Sequence, residues 1–134
     1  MTSWSEQRRE AARIHPDRLA ATKARESQRA RELIQDFLSR AREAGRAAEP
    51  LRVSDYSGRG SARTGLTGWY LKSDRSVGID TDGNFYVLTA RLNLADKMRG
   101  YRPQPSDPPL VVGAGGRDGE SLDLADALAN LLRP

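Results

Sequence analysis

The segment LVVGAGGRDGES, residues 110–121, runs from an apolar strand through Gly113, Gly115, Gly116 and Gly119 into a helix-forming stretch. Strand, glycines and helix N-terminus are the parts of a phosphate loop, where backbone N–H groups and the helix dipole hold an anion. The lysine and following Ser/Thr of such a loop are absent. Asp118, Glu120 and Asp123 stand where the phosphate would lie. Carboxylates there suit the helix dipole and repel an anion. The spacing therefore predicts an acid-capped turn between strand and helix, with Arg117 left as a contact residue.

Asp80-Thr81-Asp82-Gly83-Asn84 resembles the opening of a calcium loop. A calcium loop needs glycine sixth and glutamate twelfth. Here glycine is fourth, and the twelfth position from Asp80 is Arg91. The same residues are what a hairpin turn requires for backbone reasons. Asp80 and Asp82 could act as an acid–base pair, but no Lys or Glu stands near them in sequence to complete a hydrolytic centre. His15 is the only histidine and there is no cysteine. Zinc–thiolate sites, cysteine nucleophiles and disulfides are thereby excluded. No catalytic residue, cofactor or metal site is expected.

The arginines offer binding chemistry instead. Arg8, Arg9 and Arg13 lie near the N-terminus, Arg59 and Arg63 in a glycine-rich stretch, and Arg99 in a basic run. Tyr56, Trp69 and Tyr70 are close in sequence to the second group. Guanidiniums with aromatics nearby make a nucleic-acid surface that works through phosphate contact and base stacking. Acids interleave with the helical arginines, however: Glu6, Glu10, Asp17, Glu26, Glu32 and Asp36. Asp36 and Arg40 are at salt-bridge spacing, as on a charge-laced exposed helix. Of the 22 basic residues only Lys23, Lys72 and Lys97 are lysine. With the many alanines, that bias fits a bacterial genome rich in G and C.

The elements that position these residues follow from periodicity. Ala30, Leu33, Ile34, Phe37, Leu38 and Ala41 recur at three- and four-residue steps, the pattern of an amphipathic helix. Upstream the same helix offers only Leu19, Ala20 and Ala24 among charged residues. Ser3 and Glu6 have capping-box spacing, so a short helix is expected from Trp4 to Ile14. Pro16 should end it and open a long helix from Asp17 to Ala44, closed by Gly45. At 1.5 Å per residue, about 28 residues reach roughly 42 Å. A compact chain of this size has a radius of gyration of about 14 Å. The helix should outreach its own globule.

Beyond Pro50 the pattern becomes strands. Leu51–Tyr56 alternates, the stretch 57–68 (SGRGSARTGLTG) reads as a basic loop, and Trp69–Lys72 reads as a strand. Residues 76–90 read as a hairpin about a two-residue Asp82-Gly83 turn. That turn would oppose Ile79 to Tyr86 and Val77 to Leu88, putting those four on the helix side. A helical turn is expected within Leu92–Met98, a prolyl connector after it, a strand at Leu110–Val112, and a last helix, Leu122–Leu132, capped by Ser121.

The chain of 134 residues, 37% hydrophobic and net +4, fits one α+β unit. A long N-terminal helix, preceded by a short one, packs on a small, mostly antiparallel sheet with a central hairpin, and a C-terminal helix follows. Residues 1–16 would form a helical arm on a domain of 17–134. Charge is uneven: residues 1–50 carry 11 basic and 8 acidic side chains, and residues 107–126 are acidic. No apolar run is long enough to span a bilayer and no signal core opens the chain, so a cytoplasmic location is expected. The expected function is a non-catalytic protein-binding or adaptor module that self-associates through the long helix. Its contacts would be Trp4, Arg8, Leu19, Arg25, Arg29 and Arg117. The alternative is nucleic-acid or ribosome association through Arg8, Arg9, Arg13, Arg59, Arg63 and Arg99.

Overall fold

A computed structural model describes residues 4–113 and 121–134, with side chains from Pro16 onward in the first helix. Helix α1 spans Trp4–Ala44 without interruption and carries Pro16 in its interior. The expected break at Pro16 does not occur. Proline fixes φ near a helical value, so its backbone fits; what is lost is its N–H and the hydrogen bond that it would make. The helix is about 62 Å long. The expected capping box at Ser3 lies outside the described residues.

The docking face of α1 begins at Ser27. Ser27, Ala30, Ile34, Phe37, Leu38 and Ala41 are buried, while every residue from Pro16 to Arg25 is exposed. Two side-chain bonds mark where the helix meets the body. Glu26 Oε1 accepts from the Leu110 amide at 3.0 Å, and Arg31 pairs with Asp107 at 2.7 Å. Gly45, at φ +67°, ends the helix as expected. The Arg46 amide returns to the Ala41 carbonyl at 2.8 Å and the Gly45 amide to Arg42 at 3.2 Å, which is the Schellman closure.

Strands β1 (Glu49–Asp55), β2 (Ser61–Tyr70), β3 (Val77–Asp80), β4 (Phe85–Val87) and β5 (Thr89–Ala90) form one sheet in the order β4-β3-β2-β1-β5. All pairings are antiparallel except β1 with β5. Only Leu88 separates β4 from β5, so one run of chain bonds to both edges and the sheet closes on itself. Closure removes the open edges. Leu51, Val53, Ala62, Leu66, Tyr86, Leu88 and Leu92 fill the inside. Leu71, Val77, Ile79 and Phe85 face outward onto α1 and the C-terminal helix, forming a second core with Ile34, Phe37, Leu124 and Leu128.

Ser61–Gly68 is strand and not loop, a correction to the expectation for residues 57–68. Ala62, Thr64, Leu66 and Gly68 alternate inward. Small and polar residues at these positions hid the period of two. The Thr64 hydroxyl donates to the Leu51 carbonyl at 2.7 Å and accepts from the Leu66 amide at 3.0 Å, which satisfies a buried polar group at a β-bulge. At Gly68 a Cβ would lie 1.8 Å from the Ile79 carbonyl oxygen, so the two backbones touch there.

The hairpin register is also corrected. Val77 opposes Val87 and Ile79 opposes Phe85. The loop has three residues, because the Asp80 amide bonds to the Asn84 carbonyl at 3.0 Å and Gly83 adopts φ +91°. A turn followed by a left-handed glycine absorbs the extra residue. The one-residue slip exchanges faces: Phe85 meets the helices, and Tyr86 enters the barrel with Leu88.

Helix α2 (Leu94–Arg99) is capped by Asn93 and Asp96 in a reciprocal box. Strands β6 (Val111–Val112) and β7 (Leu122–Asp123) pair as a small second sheet, and α3 (Leu124–Leu132) follows. Ser121 is thus not the cap of the last helix. Leu122 and Asp123 are spent on pairing with β6, and the Leu124 amide bonds to the Leu110 carbonyl at 2.8 Å. The fold is α+β, with a long N-terminal helix, a mostly antiparallel sheet and a C-terminal helix.

Candidate binding surfaces

Of the two carboxylates that could have done chemistry, Asp82 is exposed and Asp80 is engaged by its own hairpin. Asp80 is buried. Its Oδ1 accepts from the Asp82 and Asn84 amides at 3.0 and 2.9 Å, and its Oδ2 from Asn84 Nδ2 and the Tyr86 hydroxyl at 3.1 and 2.9 Å. Four donors fill the lone-pair sites of this carboxylate. It builds the turn. Among the described residues no group of three or more His, Cys, Asp or Glu is placed to hold a metal.

The first surface is the exposed part of α1. Leu19 is 58% exposed, and Arg25 and Arg29 are exposed as well. Arg29 pairs with Glu32 at 3.2 Å along the helix. Ala20 and Lys23 continue, at three- and four-residue steps, the row Ser27, Ala30, Ile34, Phe37 and Ala41. The row that packs on the body thus runs on uncovered toward the N-terminus. Trp4, Arg8, Arg9 and Arg13 belong to the same helix, with side chains outside the described set. Arg117 also lies outside it.

The second surface is on the outside of the barrel. Arg63 on β2 and Arg99 at the end of α2 line one groove with Thr64, Gly65, Gly100, Tyr101 and Arg102. Two arginines distant in sequence are thereby brought together. Arg63 Nη2 donates to the Met98 carbonyl at 3.2 Å, which fixes it under the last turn of α2. Arg59 is exposed on the turn between β1 and β2 and does not line this groove. Arg8, Arg9 and Arg13 are on α1, none of whose described side chains lines the groove.

The sequence places Arg52 beside the glycine-rich stretch, but neither it nor Arg102 was among the expected nucleic-acid contacts. The signal for Arg52 was the β1–β2 pairing, which opposes it to Arg63. That pairing was hidden once residues 57–68 were read as loop. Trp69 packs edge-on against Phe37, with centroids 5.2 Å apart, on the helix side.

Asp55 ends β1 beside the basic surface. Its carboxyl is held down to about 2 by hydrogen bonds from the Ser57 hydroxyl and from the Leu92 and Ser57 amides. The Leu92 bond is 2.7 Å long. It ties the end of β1 to the entry of α2.

No protein-family model, curated protein or solved structure matches the chain. No helix among the described residues is long and apolar enough to cross a membrane.

Proposed function

We propose that the chain is a non-catalytic protein-binding module that self-associates through the exposed N-terminal part of α1. One observation carries the reading: ten consecutive residues, Pro16 to Arg25, are exposed within a helix whose next turns are packed. Ordering each residue costs about 1–2 kcal/mol of chain entropy. An interior proline adds about 3 kcal/mol against a helix. A solvent-exposed extension recovers little of this by itself. A partner that packs along it supplies the missing burial.

The partner that fits is a second copy. An isologous pair sets the same uncovered row, with Leu19 beside it, against itself. Ala20, Ala21 and Ala24 are small enough for close backbone approach. Asp17, Arg18, Lys23 and Arg25 carry both signs, so antiparallel copies bring unlike charges near one another; a helix of one sign would repel its copy.

The chain lacks cysteine, so single thiols report contact cleanly. Leu19→Cys, Ala20→Cys and Lys23→Cys are each oxidised under mild conditions, with Ser39→Cys as the control on the exposed side of the packed half. A disulfide needs Cα atoms within about 7 Å. Disulfide-linked dimer in at least one of the three, and none in the control, is the expected result. Equal, random cross-linking at all four sites would refute the reading.

A further inference from the structure

Arg52 and Arg63 face each other directly across β1 and β2, both exposed. Like charges directly opposed destabilise a sheet. Arg52 Nε donates to the Ser61 hydroxyl at 2.9 Å and Arg63 to the Met98 carbonyl, so both are oriented by neutral groups. Neither forms an ion pair among the described residues, and neither do Arg99 and Arg102. The acids of this region are occupied with backbone. Asp55 accepts from the Leu92 and Ser57 amides, and Asp96 from the Asn93 amide at 3.1 Å. Four guanidiniums therefore share one side of the barrel without an ion pair among the described residues. Gly65 and Gly100, at φ +75° and +108°, add no side chain of their own to the groove, and half-buried Tyr101 lines it.

We propose that this face binds the phosphodiester backbone of single-stranded nucleic acid. Arg63, Arg99 and Arg102 hold phosphates in the groove, and Arg52 extends the track along β1. A planar guanidinium matches phosphate oxygens in a two-point fork. A basic groove with an aromatic wall suits an unpaired strand, whose bases are free to stack. The site is independent of α1, so it stands or falls apart from self-association.

The test is fluorescence anisotropy of a labelled, unpaired oligonucleotide of roughly twelve nucleotides, a length within the range that one small barrel covers, titrated with the full chain. Three phosphate contacts on a single strand give a log–log salt slope of about −2, so affinity should fall about twenty-fold between roughly 50 and 200 mM salt. Arg99 and Arg102 have no hydrogen bond or ion pair among the described residues, so Arg99→Gln with Arg102→Gln leaves the fold intact by circular dichroism and should weaken binding at least tenfold. Arg40→Gln, on the far part of α1, should leave it unchanged. No binding at low salt, or equal binding by the double variant, would overturn the proposal. So would displacement of the oligonucleotide by inorganic phosphate or polyglutamate at equal charge concentration, and so would a duplex that binds more tightly than the single strand.

Discussion

The Tyr86 hydroxyl donates a 2.9 Å hydrogen bond to Oδ2 of Asp80, inside the barrel and six residues along the same hairpin. Both side chains are buried. The contact exists only in the observed register, because the slip that brings Phe85 to the helices also turns Tyr86 inward.

Tyr86→Phe removes the donor and keeps the ring. Losing one partner of a buried hydrogen bond costs about 1–3 kcal/mol. The urea midpoint should fall accordingly with an unchanged slope. The phenol is pushed up to about 12 from its ordinary 10, by burial first and then by the hydrogen bond to Asp80. A folded value raised above the unfolded one gives stability that is complete below pH 10 and is lost as pH rises through 12. An alkaline loss of stability in that window should be present in the native chain and absent from Tyr86→Phe.

Gly83→Ala tests the three-residue turn. At φ +91° an added Cβ is strained, and it would lie 2.6 Å from Gln35 Nε2 and 3.2 Å from Leu38 Cδ1 on α1. Backbone strain of this kind costs about 1–3 kcal/mol. The variant should melt earlier than Gly58→Ala, whose Cβ meets nothing within 4 Å although its φ is also positive. Equal effects would mean that the helix does not press on the turn.

Asp55 predicts an acid response. Its carboxyl sits below the ordinary value because hydrogen bonds favour the charged form. A depressed folded value gives stability that is present above the unfolded value of 3.8 and lost as pH falls toward 2. Asp55→Asn should flatten the pH dependence of stability in that window and loosen the entry of α2, read by amide exchange at Leu92.

Phe37 and Leu19 separate the two parts of α1. Phe37 is 1% exposed and meets Trp69 edge-on at 89°. Phe37→Ala should cost about 3–5 kcal/mol. Leu19→Ala should change the stability of one chain by less than about 0.5 kcal/mol. The same Leu19 change should weaken self-association, measured as the concentration at which dimer forms.

Much of the architecture was legible where side chains follow a strong period. The row from Ala30 to Ala41 named the packed face of α1, and Gly45 marked its end. What sequence could not show were competitions settled by tertiary contact. Pro16 signals a stop, yet its fixed φ is compatible with helix. Ala62 and Gly68 have little strand character alone and become strand because β1 pairs along the segment and β3 takes up its end at Gly68. Asp82-Gly83 fits a two-residue turn, but Asp80 captures the Asp82 and Asn84 amides and lengthens it. The arginine surface depended on those same outcomes, since Arg52 and Arg63 meet only if residue 63 is in a strand.

Sedimentation equilibrium of the native chain across the micromolar range tests most directly whether the exposed half of α1 is an association surface. The expected mass rises with concentration from 14.8 kDa toward twice that value, and Leu19→Ala shifts the transition to higher concentration. A mass of 14.8 kDa at every concentration would contradict self-association.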